Sequence, residues 1–211
     1  VGYRFYETAA AEGLINYDDT VVYPFGYGLS YTTFTQEMGA ISEDNGTISF
    51  DVTVTNTGDV AGKDVVEVYY NPPYTNGGIE KSSANLIEFA KTDLLQPGES
   101  QTVTVTFSIE DMASYDENNA KAYVLEKGDY VISINSDSHT VLDKKTYTAD
   151  KDVVYKGENK RASDDTAAGN VFEDAKGDVT YLSRADHFAN YEEATAAPAS
   201  APAETMEPRT T

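Results

Sequence analysis

The sequence contains no cysteine and no tryptophan, and only two of its 211 residues are histidine. Without cysteine, the chain can form no disulfide, thiolate zinc site or iron–sulfur cluster, and it has no cysteine nucleophile. Basic residues are also scarce, because 15 lysines and arginines face 36 aspartates and glutamates, for a net charge of −21. This charge argues against nucleic acids and anionic membrane surfaces as partners. No run of about 18 apolar residues occurs, so the sequence predicts no transmembrane helix.

What remains is enough for a folded protein. A chain of 211 residues can form one domain with additional chain, or two small domains. Hydrophobic residues make up 40% of the sequence, which is typical of a globular protein rather than a disordered one. Because the first residue is Val1 and not methionine, we expect the chain to be a fragment of a longer protein.

The middle of the sequence, residues 34–139, has the pattern of an all-β domain. Residues 48–54 alternate apolar and polar side chains, which is typical of a strand with one buried face. Residues 65–70 are apolar almost throughout and predict a central strand. The sequence Lys-Gly-Asp at 127–129 predicts a hairpin between two flanking strands, 122–125 and 130–134. About seven short strands separated by turn signals predict an immunoglobulin-like β-sandwich.

The flanking segments lack this pattern. Residues 1–33 are rich in aromatic residues and glycine and have no clean period, so we expect an irregular segment whose aromatic side chains pack on something large. Residues 140–193 are mostly polar and predict an extended linker or docking arm, with a short helix from Arg184 to about Glu193. Residues 194–211 are rich in alanine, proline and threonine and predict a disordered tail.

Few residues could form a catalytic site. His139 follows Asp137 and Ser138, and a Ser–His–Asp arrangement could be drawn from them, although an exposed loop histidine is the simpler interpretation. His187 is interpreted as a surface or docking residue. The acidic pair at 18–19 lies near aromatic residues, but with 36 acids in the chain such pairs arise by chance. We therefore assign no catalytic, cofactor-binding or metal-binding residue.

Several segments together resemble glycoside hydrolase family 3. Residues 1–8 (VGYRFYET) and 24–32 (PFGYGLSYT) are similar to the end of the second α/β domain of these enzymes. The following segments are similar to their fibronectin type III-like domain: 54–58, 61–66, 94–100 and 127–130. Residues 171–184 are also similar to the connector of members in which the sandwich precedes the catalytic barrel.

The resemblance implies an organisation and a role. Residues 1–33 would be the last part of a glycosidase α/β domain, and 34–139 a fibronectin type III-like sandwich. The parent enzyme would hydrolyse β-glycosides with retention, most often as a β-glucosidase. In this family the nucleophile is an aspartate of the barrel and the acid/base usually a glutamate earlier in the α/β domain, and neither motif occurs here. We therefore expect a non-catalytic portion without a cofactor, whose partners are the catalytic domains of the same polypeptide.

Two other functions fit parts of the sequence. The 16 tyrosines suggest a carbohydrate-binding module with Tyr69, Tyr70 and Tyr74 as a stacking platform, although such platforms usually use tryptophan. The acidic composition and the Ala/Pro-rich end fit a structural spacer, which would not need the aromatic segment at 1–33. A structural calcium ion also stays open, although residues 116–119 lack the ligand pattern of an EF-hand loop.

Overall fold

The computed structural model describes residues 2–197, which form a β-sandwich with helical segments at both ends. The strands of this part of the chain are β1 (Phe34–Met38), β2 (Ser42–Asp44), β3 (Thr47–Asn56), β4 (Val65–Asn71), β5 (Asn85–Lys91), β6 (Ser100–Ser108), β7 (Ser114–Asp116), β8 (Ala122–Leu125), β9 (Gly128–Asn135), β10 (Val141–Ala149) and β11 (Val153–Tyr155). The α-helices are α1 (Tyr3–Ala11), α2 (Tyr17–Thr20) and α3 (Tyr191–Thr195). None of these helices is long and apolar enough to cross a bilayer.

Two antiparallel sheets form the sandwich. In the first sheet, β3 pairs with β6 on one side and with both β1 and β2 on the other. The second sheet has the order β10-β9-β4-β5. The core between them is made mainly by alternate residues of the central strands: Ile48, Phe50, Val52 and Val54 of β3, Val66 and Val68 of β4, and Tyr130, Ile132 and Ile134 of β9. The all-β sandwich predicted from the sequence is confirmed, and the alternation at 48–54 marks its core face.

The hairpin predicted around residues 127–129 is wrong. β8 pairs with β7 and β11 in a small third sheet, whereas β9 pairs with β4 and β10. The chain crosses between sheets at Gly128, which has a φ of 140° and lies so close to Pro73 that a Cβ atom would be 2.9 Å from the proline Cβ. The backbone N–H of Lys127 donates to Asp152 instead of to a hairpin partner. Glycine followed by aspartate is therefore compatible with a crossing between sheets as well as with a tight turn.

The sheets continue beyond residue 139, into the stretch that the sequence analysis assigned to a linker. β10 pairs with β9 from Val141 opposite Asn135 to Ala149 opposite Gly128. β11 pairs with β8 and adds to the small third sheet. β10 is an edge strand with mostly exposed side chains, among them Lys144 and Lys145. Such edges carry charged residues and lack a strong apolar alternation, which is why the polar composition did not indicate a strand.

Both faces of the second sheet are covered at its central strands, β4 and β9. Helix α1 lies on the outer face, where Tyr69 of β4 and Ser133 and Asn135 of β9 are buried. Val66 and Val68 face the opposite way, into the sandwich core. A strand buried on both sides has no polar face, which accounts for the almost continuous apolar run at 65–70.

The helix predicted from Arg184 to about Glu193 is interrupted. A 3₁₀ turn at Arg184–Asp186 ends at His187 and Phe188, whose φ values of 55° and 57° are left-handed and break a helix. Helix α3 follows and extends to Thr195, two residues beyond the predicted end. Most of the predicted tail, residues 198–211, lies outside the described part of the chain.

Candidate functional site at the helix-covered face

The helix-covered face is the outer surface of the second sheet together with α1, and hydrogen bonds from side chains of α1 fix the two against each other. The Tyr3 hydroxyl accepts from the backbone N–H of Leu86 at 2.8 Å, at the start of β5. The Thr8 hydroxyl accepts from the backbone N–H of Ser83 at 3.0 Å. These bonds join residues more than seventy positions apart in sequence, so α1 is a third layer of the fold.

Aromatic side chains fill the space beside these bonds. The ring of Tyr3 stacks on Phe25 with 4.5 Å between the centroids and meets Tyr69 edge-on at 6.1 Å. The backbone carbonyl of Phe25 accepts from Ser138 N at 2.8 Å. The start of the chain and the glycine-rich segment around Phe25 therefore pack on the same sheet.

At the centre of the face is Glu7, a carboxylate that is only 8% exposed. Its Oε1 accepts from the Tyr17 hydroxyl at 2.7 Å and from Ser138 Oγ at 2.8 Å. His139 Nδ1 lies 2.8 Å from Oε2, and the imidazole stacks on the Tyr17 ring with 3.7 Å between the centroids. The three donors come from α2 and from the β9–β10 loop, so a single carboxylate joins three segments.

This arrangement contradicts the Ser–His–Asp possibility. Ser138 and His139 both bond to Glu7 and not to each other, so the serine has no base. Asp137 instead accepts from the backbone N–H groups of His139 and Thr140, which shapes the loop. Glu7 was not predicted as a site residue; its one visible signal in the sequence is an isolated acid within an aromatic segment.

The chemistry available at this face is structural. A cleft of about 600 Å³ lies between α1 and the sheet, and Glu7 is the one carboxylate among its described lining residues. Because Glu7 already has three hydrogen-bond donors, it is not free to act as a base. Burial and the bond to Glu7 raise the pKa of the Tyr17 phenol, which therefore stays protonated and keeps donating. Glycoside hydrolysis needs a pair of carboxyl groups, and this cleft does not supply one.

A second, partly buried contact on the same face involves Glu67 of β4. Its Oε2 accepts from the Tyr69 hydroxyl at 2.8 Å. Gly26 covers this carboxylate, where it has a φ of 85° and any larger side chain would collide with Glu67. Burial raises the pKa of Glu67, the Tyr69 bond opposes the shift, and the nearby Asp137 and Asp64 charges add to it.

Replacing Glu67 with glutamine should change how stability depends on pH. The unfolded state loses the Glu67 proton near pH 4.5, before the folded state does, so this residue lowers the stability of the fold as pH rises from there. The E67Q variant should therefore gain stability relative to the parent chain between pH 4 and pH 7 in urea unfolding. E37Q, at an exposed site on β1, is the matched control and should leave the pH profile unchanged. Parallel profiles for E67Q and the parent chain would contradict the assignment.

The remaining sequence candidates are not brought together. Tyr69 and Tyr70 point to opposite faces and are buried, and the Tyr74 ring lies 3.8 Å under the Arg184 guanidinium, so the proposed stacking platform does not exist. The acidic pair at 18–19 is exposed on α2. His187 is mostly exposed, 3.7 Å from a Glu12 oxygen. Among the described residues no cluster of three or more metal-ligating side chains occurs.

Comparison with known proteins places this geometry in a family. The model of the fibronectin type III-like domain matches residues 64–138. β-Glucosidase A of Butyrivibrio fibrisolvens is 40% identical over 173 residues, which are 73% of this chain and 20% of that protein. The solved glycoside hydrolase family 3 β-glucosidase of Bifidobacterium adolescentis superposes with a TM-score of 0.61 at 31% identity, over 71% of this chain and 21% of that one. The chain belongs to glycoside hydrolase family 3.

Within this family the chain corresponds to the fibronectin type III-like region. β-Glucosidase 3B of Thermotoga neapolitana matches 74% of the chain with a TM-score of 0.64 at 35% identity, and the match is 20% of that enzyme. The chain spans about a fifth or less of the length of the curated relatives that it matches. The family resemblance inferred from residues 1–8, 24–32 and the sandwich motifs is confirmed.

One surface of this family 3 region is unusually apolar. Between residues 22 and 31, six large hydrophobic side chains are 47–98% exposed. We call this segment the aromatic ridge; its exposed members are Val22, Tyr23, Phe25, Tyr27, Leu29 and Tyr31. Leu29 is 89% exposed and Tyr31 is 98% exposed. Contiguous apolar surface of this kind typically marks an interface.

Proposed function

We propose that this chain is the non-catalytic portion of an enzyme that hydrolyses β-glycosides, and that its sandwich packs against and stabilises the catalytic domains. The observation that carries the proposal is the aromatic ridge, because it is held on the sandwich through Phe25 and the described part of the chain leaves Leu29 and Tyr31 almost fully exposed. The names of the relatives, which are β-glucosidases several times longer than the matched region, supply the reaction class.

The ridge is suited to hold a domain in place. Burying apolar surface stabilises a contact by about 25 cal/mol per Å², and several large side chains in one segment can contribute together. The segment is anchored at one end by Phe25, whose carbonyl bonds to Ser138, and at the other by Thr32, whose hydroxyl bonds to Asn56. A domain packed on the ridge would therefore be fixed relative to the sandwich.

The isolated chain should not hydrolyse an aryl β-glucoside above the buffer rate.

In a polypeptide that also carries the catalytic domains, the double variant L29S/Y31S should lower the temperature at which activity is lost by several degrees. The same double variant in the isolated chain should leave the unfolding midpoint unchanged, because both side chains are already exposed. F89S/L94S, at two other exposed apolar positions, is the matched control for the longer polypeptide.

Two results would contradict this proposal. Clear hydrolysis by the isolated chain would show that it contains a catalytic site of its own. Equal thermal inactivation of L29S/Y31S and the parent enzyme would show that the ridge does not contact the catalytic domains.

A further inference from the structure

The segment at residues 183–191, which we call the clasp, contains buried side chains although it follows a long stretch of exposed residues. All of residues 171–181 are exposed, whereas Arg184 is only 8% exposed and Phe188 only 5%. An arginine is almost never buried to this extent unless its charge and its donors have partners. The partners of Arg184 therefore show what the clasp is bound to.

The Arg184 guanidinium contacts three residues in two separate parts of the fold. Its Nε and Nη2 donate to Oε1 of Glu12 at 3.0 and 2.6 Å, just beyond the end of α1. Its Nη1 donates to the backbone carbonyl of Lys81 at 2.9 Å, and its plane lies on the Tyr74 ring. The last two residues belong to the β4–β5 loop. Planar stacking combined with forked donation is specific to arginine and cannot be reproduced by lysine.

Two further sets of contacts surround this centre. The carboxylate of Glu80 accepts from the Arg184 backbone N–H and from Ser183 Oγ, both at 2.9 Å. On the other side, Phe5 of α1 meets Phe188 edge-on at 5.6 Å and stacks with Tyr191 at 5.7 Å. The clasp thus presents one cation and two aromatic rings to a surface with two carboxylates and two aromatic rings.

We propose that α1 and residues 74–81 form a docking surface for the clasp, with Arg184 as the central contact, and that the clasp stays bound after the chain before it is cut. The partner class is a short segment with a serine–arginine pair followed by aromatic residues, here supplied by the same chain. This arrangement joins α1, the sandwich and the clasp into one rigid unit. The inference concerns this chain alone and stands whether or not the proposed enzyme function does.

The test is a cut in the exposed stretch. A site-specific protease sequence is inserted between Thr166 and Ala167 of the full chain, which is then cleaved and passed over a size-exclusion column at micromolar concentration. We expect the two pieces to co-elute. R184A should weaken their association about a hundredfold or more, because it removes both close donors to the half-buried Glu12 carboxylate and the donor to the Lys81 carbonyl. R184K should weaken it as well, since lysine cannot reproduce the fork and the stack.

Matched variants make the result decisive. K176A removes a positive charge from the same piece, at a residue whose ammonium lies over Tyr181 on the surface, and should leave co-elution unchanged. E12Q removes the negative charge on the other side of the Arg184–Glu12 contact and should also weaken association. It tests this contact independently of R184A, in case that variant does not express. Circular dichroism checks that the sandwich is folded in each variant. Separation of the unmodified pieces, or equal retention of R184A and the parent, would overturn the proposal.

Discussion

Replacing Asn56 with alanine should lower the free energy of unfolding by about 4 kcal/mol, because it removes a fully buried side chain that makes four hydrogen bonds of about 0.5–1.5 kcal/mol each. Asn56 ends β3 and is 0% exposed. Its Nδ2 donates to the carbonyls of Val60 and Leu95 at 2.8 and 2.9 Å. Its Oδ1 accepts from the Gly58 N–H at 3.1 Å and from the Thr32 hydroxyl at 2.8 Å.

The size of the effect follows from what each partner retains. The Leu95 carbonyl keeps a second bond from Gly62 N at 3.0 Å, so its loss is partial. Val60 O and Gly58 N lose the side chain that bonds them, and each of these partly buried hydrogen bonds contributes about 0.5–1.5 kcal/mol. The same amide also connects the aromatic ridge, through Thr32, to the turn after β3. Its removal should therefore loosen several segments at once.

Urea unfolding of N56A is the measurement, and T104A is the matched control. The Thr104 hydroxyl donates to Asp51 at 2.7 Å on the exposed side of the first sheet. A surface cross-strand pair of this kind contributes about 0.2–1 kcal/mol, so T104A should change stability little. The nearly isosteric variant N56D should also be destabilised at neutral pH, since its carboxylate would face the carbonyls of Val60 and Leu95. If N56A loses no more than T104A, the asparagine does not have the role assigned to it.

How far the fold follows from the sequence depends on where each strand buries its side chains. The alternation at 48–54 specified β3 and its core face because one side is fully buried and the other is not. β10 gave no such signal, since at an edge most of its side chains face water. Residues 127–129 were predicted to form a hairpin turn, whereas Gly128 and Asp129 begin β9. The prediction was wrong because local residue preferences do not show which strands pair.

Helix α1 and the Glu7 junction could not be derived from the sequence pattern for a different reason. A nine-residue helix is marginal by itself and depends on packing against the sheet. Glu7 looks like a surface residue until α1 is placed on the second sheet. Its partners Tyr17, Ser138 and His139 are 10, 131 and 132 positions away, so no local window contains them. The family was predicted because short sequence motifs identify its segments. The contacts between those segments cannot be read from the motifs.

Replacing Glu7 with alanine should lower the free energy of unfolding by about 3 kcal/mol and release α1 from the sheet. The variant removes the shared acceptor of three donors, and the buried Tyr17 and Ser138 hydroxyls would each cost about 1–3 kcal/mol without a partner. E7Q keeps the shape but places an amide N–H₂ against at least one donor, so it should recover only part of the loss. D19A, at an exposed acid on α2, is the control and should be close to neutral.

Hydrogen exchange distinguishes a local role of Glu7 from a general loss of stability. If Glu7 joins α1 to the β9–β10 loop, the amides of Tyr3–Ala11 should lose protection in E7A to a much greater extent than those of β3, which lies in the opposite sheet. Protection at β3 should fall only by the change in global stability. Equal protection of α1 in E7A and the parent chain would mean that the aromatic contacts of Tyr3 and Phe25 hold the helix unaided. The buried Glu7 carboxylate would then contribute nothing to the attachment of α1 to the sheet.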